Sequence, residues 1–68
     1  MDWNQIVGDN VRRLRGKRGL TQEQLAHDAE IDVTYLRGIE SRRRNPSVAV
    51  IGKIAAALGA HPRDLFEK

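Results

Sequence analysis

The stretch Thr21–Glu40, TQEQLAHDAEIDVTYLRGIE, decides how this chain is read. Thr21 followed three residues later by Gln24 forms a capping box, in which the hydroxyl accepts from the Gln24 amide and the Gln24 side chain reaches back. A helix then runs to about Ala29. Glu30 and Ile31 form a turn, and Asp32 is a good N-cap whose carboxylate suits the positive end of the next helix, Val33 to Glu40. Leu36 and Ile39 mark the buried face of that helix. The segment is therefore two short helices joined by a tight turn.

The flanks continue the helical pattern. Ile6 or Val7, Val11 and Leu14 recur at helical spacing and predict a first helix from about Asn4 to Arg18, with Gly19 as its stop. SRRRNP, from Ser41 to Pro46, is a loop, because Pro46 biases Asn45 out of the helical region and Ser47 can cap a further helix. Ile51, Ile54, Ala55 and Leu58 form the apolar stripe of that fourth helix, Val48 to Leu58, ended by Gly59. Pro62 suits the first position of a short fifth helix carrying Leu65 and Phe66, and His61 caps it. There are no strand signals, repeats or low-complexity tracts. The expected fold is all-α, a compact five-helix bundle forming one domain over residues 1–68.

At 68 residues the chain holds one domain, of a size that buries only about 60% of its unfolded surface, so helix packing must carry a modest stability. It has no cysteine, which rules out disulfides and thiolate metal clusters and fits a reducing compartment. No apolar run approaches the roughly 20 residues that cross a bilayer, and the start MDWNQIVGDN lacks the basic-then-apolar layout of a signal peptide. The expected location is the cytoplasm, in association with the nucleoid, with no membrane partner.

The net charge of +3 matters less than its distribution. Arg12, Arg13, Arg15, Lys17 and Arg18 cluster early, Arg42, Arg43 and Arg44 cluster midway, and neither cluster contains an acidic residue. Such patches suit a polyanion such as nucleic acid; a solvated helix face and a soluble loop would look the same by composition.

Leu20-Thr21-Gln22-xx-Leu25-Ala26, Leu36-xx-Ile39-Glu40, Asn45-Pro46-Ser47 and Ile54-Ala55-xx-Leu58-Gly59 together resemble the phage repressor and Cro (XRE-like) family of helix-turn-helix proteins. The resemblance covers nearly the whole chain. Asp32-Val33-Thr34-Tyr35 and Gly38-Ile39-Glu40, followed by Arg44-Asn45, are most similar to the small controller proteins of restriction–modification systems.

The resemblance implies a sequence-specific regulator of transcription, repressor or activator, that binds a double-stranded, palindromic DNA operator as a homodimer. Gln22 then lies where the family grips a phosphate through side chain and helix N-terminus. Val33, Thr34, Tyr35 and Arg37 occupy the helix the family inserts into the major groove, which is about 12 Å wide. There Thr34 can donate or accept at base edges, Val33 can pack on a thymine methyl, and Arg37 can bond guanine or phosphate. Tyr35 either contacts DNA or packs partly into the core. Gly38 either allows a close backbone approach or is tolerated drift. Arg42, Arg43, Arg44 and Asn45 form the loop that in the family follows the sugar-phosphate backbone. Arg15 and Glu40 match positions that form a structural ion pair. One departure concerns Glu30, which stands where the family usually has Gly or Asn, so the turn is either strained or differently shaped.

Two half-sites about one helical turn apart are the economical target for so small a domain, which calls for a two-fold dimer. Val48, Leu65 and Phe66 are the candidates for its contact, although Leu65 and Phe66 can equally close the core. Trp3 either packs on the first helix or joins the subunit contact. An enzyme is not expected, since a cysteine nucleophile and a glycine-rich phosphate loop are both missing. His27 with Glu30 lacks a third metal ligand, and no cofactor is implied. The competing reading is an antitoxin or other protein-interaction module on the same fold, and a protein partner such as RNA polymerase or a toxin is compatible with either.

Overall fold

The computed structural model describes residues 2–68. Four α-helices succeed one another, α1 (Trp3–Lys17), α2 (Gln22–Ala29), α3 (Val33–Glu40) and α4 (Val48–Leu58), and a 3-10 turn, η1 (Pro62–Phe66), closes the chain. The expected fifth helix is thus a single tight turn, long enough to place Leu65 in the core and no longer. No described residue forms a strand, and no described helix is long and apolar enough to cross a membrane.

Local chemistry sets the helix starts. The first helix begins at Trp3, one residue before the expected start, and Asp2 caps it by accepting from the Asn4 and Gln5 amides. Thr21 and Gln24 form the full capping box of α2, Asp32 Oδ1 accepts from the Thr34 amide at 2.7 Å, and Ser47 accepts from Val50. His61 Nδ1 accepts from the Arg63 amide, while Asp64 reaches back to the His61 amide at 3.0 Å.

The helix ends share one device. Gly19, Glu30, Arg42 and Gly59 all adopt left-handed backbone. In each case the next amide returns to a carbonyl five residues back: Leu20 to Arg15, Ile31 to Ala26, Arg43 to Gly38 and Ala60 to Ala55. This is the Schellman arrangement, which satisfies carbonyls that a helix end would leave unpaired. Two of the four positions are not glycine. Glu30, at φ 57° and ψ 43°, makes the standard turn despite its side chain, so of the two alternatives for this turn the strained one holds.

Val7, Val11, Leu25, Leu36, Ile39, Ile54, Leu58 and Leu65 fill the core. α3 packs on α1 and α2, whereas α4 packs chiefly on α2 and η1. The outer side of α3 is therefore left uncovered. Gly8 allows α1 to approach the end of α3, since a Cβ there would collide with the Ile39 carbonyl oxygen. Buried Asn10 ties the far end of the chain to α1, donating from Nδ2 to the Leu65 and Glu67 carbonyls at 3.0 and 2.6 Å.

Candidate nucleic-acid interface

The uncovered face is built on a buried anchor. Glu40, whose side chain is 4% exposed, accepts from Arg15 Nε at 2.8 Å and Arg15 Nη2 at 3.0 Å. Arg15 Nη1 also donates to the Leu20 carbonyl at 2.9 Å, so one guanidinium joins α1, the connection that leads into α2 and the end of α3. The hydrogen bond to Glu40 raises the Arg15 pKa above its ordinary value, against the opposing effect of burial.

From this anchor a chain of hydrogen bonds runs outward. Gln22 Nε2 donates to Glu40 Oε1 at 3.1 Å, and Gln22 Oε1 accepts from Arg37 Nε at 3.3 Å. Arg37 Nη2 then reaches Glu23 Oε2 at 2.9 Å, in an exposed pair. Gln22 and Arg37, 15 residues apart in sequence, therefore sit side by side at the N-terminus of α2. Arg12 borders the same hollow, together with Arg15, Glu40 and Ser41. Its place there follows from its spacing, since Arg12 and Arg15 are three apart on α1 and share a face.

A second hollow adjoins the first, with Arg37 and Ser41 common to both, and is lined also by Thr34, Gly38, Arg43 and Arg44. Thr34 and Arg37 are exposed on α3. Val33 and Tyr35 are half-buried and pack against the core, so each divides its surface between the interior and the reading face.

The loop arginines separate. Arg43 and Arg44 face the second hollow, but Arg42 turns back to Asp9 on α1, with Nη2 and Nε at 2.8 and 3.1 Å from Asp9 Oδ1. The arginine cluster that is free of acids in sequence thus acquires one in space. Asn45 is exposed, next to buried Pro46.

The three dimer candidates also divide. Leu65 is fully buried and belongs to the core, which corrects its assignment to a subunit contact: η1 turns it inward against α1 and α4. Its neighbour Phe66 is 38% exposed and meets half-exposed Trp3 edge-on, with ring centroids 5.9 Å apart. Val48 is 87% exposed at the start of α4. The described residues include no group of His, Cys, Asp and Glu arranged to hold a metal.

The family model described as helix-turn-helix matches residues 11–65, from the middle of α1 to the core residue of η1. The chain belongs to the helix-turn-helix family. Within the family, its similarity to the controller proteins is plain. Control protein C.BamHI of Bacillus amyloliquefaciens is 40% identical over 63 residues, covering 91% of this chain and 78% of that one. The HTH-type transcriptional regulator y4dJ of Sinorhizobium fredii is 42% identical over 59 residues, or 87% of this chain and 77% of that one. In three dimensions, the restriction–modification controller protein C.AhdI of Aeromonas hydrophila superposes with a TM-score of 0.90 at 41% identity, covering 93% of this chain and 96% of the controller.

Proposed function

We propose that this helix-turn-helix protein is a single-domain, DNA-binding regulator of transcription of the controller type, without catalytic activity, acting in the cytoplasm. The observation that carries this reading is the convergence of Gln22, Thr34, Arg37, Arg43 and Arg44, with Arg12, on two adjoining hollows along the one face of α3 that no other element covers. That face pairs exposed base-reading side chains with guanidinium groups for the flanking phosphates. Gln22, the first residue of α2, lines the first hollow, and the open amides of a helix start are a favourable seat for a phosphate.

The regulator acts as a homodimer on a two-fold-symmetric operator. Val48 and the Trp3–Phe66 pair supply exposed apolar surface for the subunit contact.

Affinity for duplex DNA as a function of salt tests the reading. Each neutralised phosphate contributes roughly 0.9 to the slope of log affinity against log salt. Arg43→Ala should weaken binding to all sequences alike and flatten the slope by about that amount. Thr34→Ala should instead alter the preferred sequence and leave the slope unchanged. Absence of duplex binding at low salt would favour the protein-interaction reading.

A further inference from the structure

Gly38 stands in the middle of the exposed reading helix, where glycine is a poor helix former compared with alanine. Its surroundings differ from those of the other glycines in helix interiors. Gly16 and Gly52 have open space where a Cβ would stand, and Gly8 faces backbone across a helix contact. A Cβ on Gly38 would run into Arg44 Cγ, with Arg44 Cβ at 3.3 Å and Cδ at 3.5 Å. The obstacle is the root of the arginine side chain and not its free end, so a small swing of the guanidinium would not relieve it.

The backbone reinforces the contact. The Gly38 carbonyl accepts from the Arg43 amide at 2.9 Å, the Arg44 amide at 3.1 Å and Ser41 Oγ at 3.2 Å. The loop therefore folds back onto α3 at this one residue, and the Arg44 methylenes lie across its bare Cα. Arg44 ends beside Thr34 and Arg37, lining the same hollow.

We propose that Gly38 is a positioning residue for DNA binding: the missing side chain is a seat for the Arg44 stem and sets its guanidinium on the reading face before DNA arrives. Resting on the DNA-binding reading above, the seat makes α3 and the arginine loop one rigid unit. An arginine already held in place loses less rotamer freedom on binding than one free in solvent. Gly38→Ala leaves the Arg44 charge in the protein but removes its place. Without its seat, Arg44 should bind as if it were partly absent, even though the helix itself is a better one.

The test is a double-mutant cycle on a mixed-sequence DNA duplex about two helical turns long, with wild type, G38A, R44A and the double variant. R44A should flatten the salt slope by about 0.9. G38A should weaken binding roughly two- to tenfold, the range expected for ordering one long side chain, and the clash with the Arg44 stem should offset any gain in melting temperature from the better helix former. In the R44A background the same G38A change should alter affinity less than about twofold, within ordinary additivity error. Equal losses in both backgrounds, or no loss in either, would overturn the seat. If G38A melts early, recovery of the melting temperature in the double variant supports the steric seat, and failure to recover overturns it. Absence of duplex binding by the wild type would overturn the regulatory function as well, whereas normal wild-type binding with additive variants overturns the seat alone.

Discussion

Arg15 on α1 and Glu40 at the end of α3, 25 residues apart, meet as a two-pronged ion pair whose carboxylate is almost wholly buried. Because Gln22 hangs from the same carboxylate and Arg37 from Gln22, the pair sets both the packing of α3 and the layout of its outer face. Removing one partner of a buried pair leaves the other charge uncompensated, at a cost of about 3–5 kcal/mol. Arg15 is partly exposed, so we expect Glu40→Ala to lie at the lower end, about 3 kcal/mol, in denaturant unfolding. DNA affinity should fall together with stability. Unfolding like the parent would show that the pair contributes nothing net.

Glu30 holds a left-handed conformation that costs a residue with a side chain roughly 1 kcal/mol or more. Its side chain is exposed and makes no hydrogen bond among the described residues. Glu30→Gly should therefore raise stability by about 1 kcal/mol, or roughly 4–8 °C in melting temperature for a domain of this size. A lower melting temperature would contradict the geometry of the turn.

Glycine-to-alanine changes in α1 and α4 should have opposite signs. At Gly8 the added methyl meets the Ile39 carbonyl oxygen across the α1–α3 contact, and overpacking of this kind costs about 1–3 kcal/mol. At Gly52, in the middle of α4, the methyl meets nothing, and the helix should gain up to about 1 kcal/mol. Thermal melts of the two variants give the answer directly; equal shifts would contradict the close approach of α1 to α3.

The hydrogen bond from the His61 amide holds the Asp64 carboxyl below its usual pKa. A carboxyl whose folded pKa is depressed contributes stability above its unfolded value, about 3.9, and loses it as the pH falls through the folded value. The melting temperatures of wild type and Asp64→Ala should thus differ most near neutral pH and converge in acid below about pH 4. A gap that stays constant with pH would show that the charge of Asp64 plays no part in the cap.

Most of the fold is legible in the sequence because its signals are local. Thr21 with Gln24, Asp32, Ser47 and His61 each cap the next element through atoms two or three residues away. The αL conformations of Glu30 and Arg42 are harder to anticipate, since their cost is small enough for tertiary packing to override. Leu65 and Phe66 are neighbours of similar chemistry, and only the direction of η1 separates the core residue from the surface one. At the candidate interface, family resemblance points to Gln22, Thr34, Arg37, Arg43 and Arg44. The Arg42–Asp9 pair and the Asn10 bonds to the chain end join residues 33 to 57 apart, and nothing in local spacing marks them.

The DNA that the protein selects is the most direct measure of α3 as a reading element. Incubation with a pool of random-sequence duplexes, recovery of the bound fraction and sequencing would give half-site, spacing and symmetry together. We expect enrichment of a two-fold-symmetric site with half-sites about one helical turn apart, and a shift of the half-site sequence when Thr34→Ala is used in place of the wild type. A bound pool with no enriched sequence, or a site unaffected by substitution on α3, would contradict the assignment of α3 as the element that reads DNA.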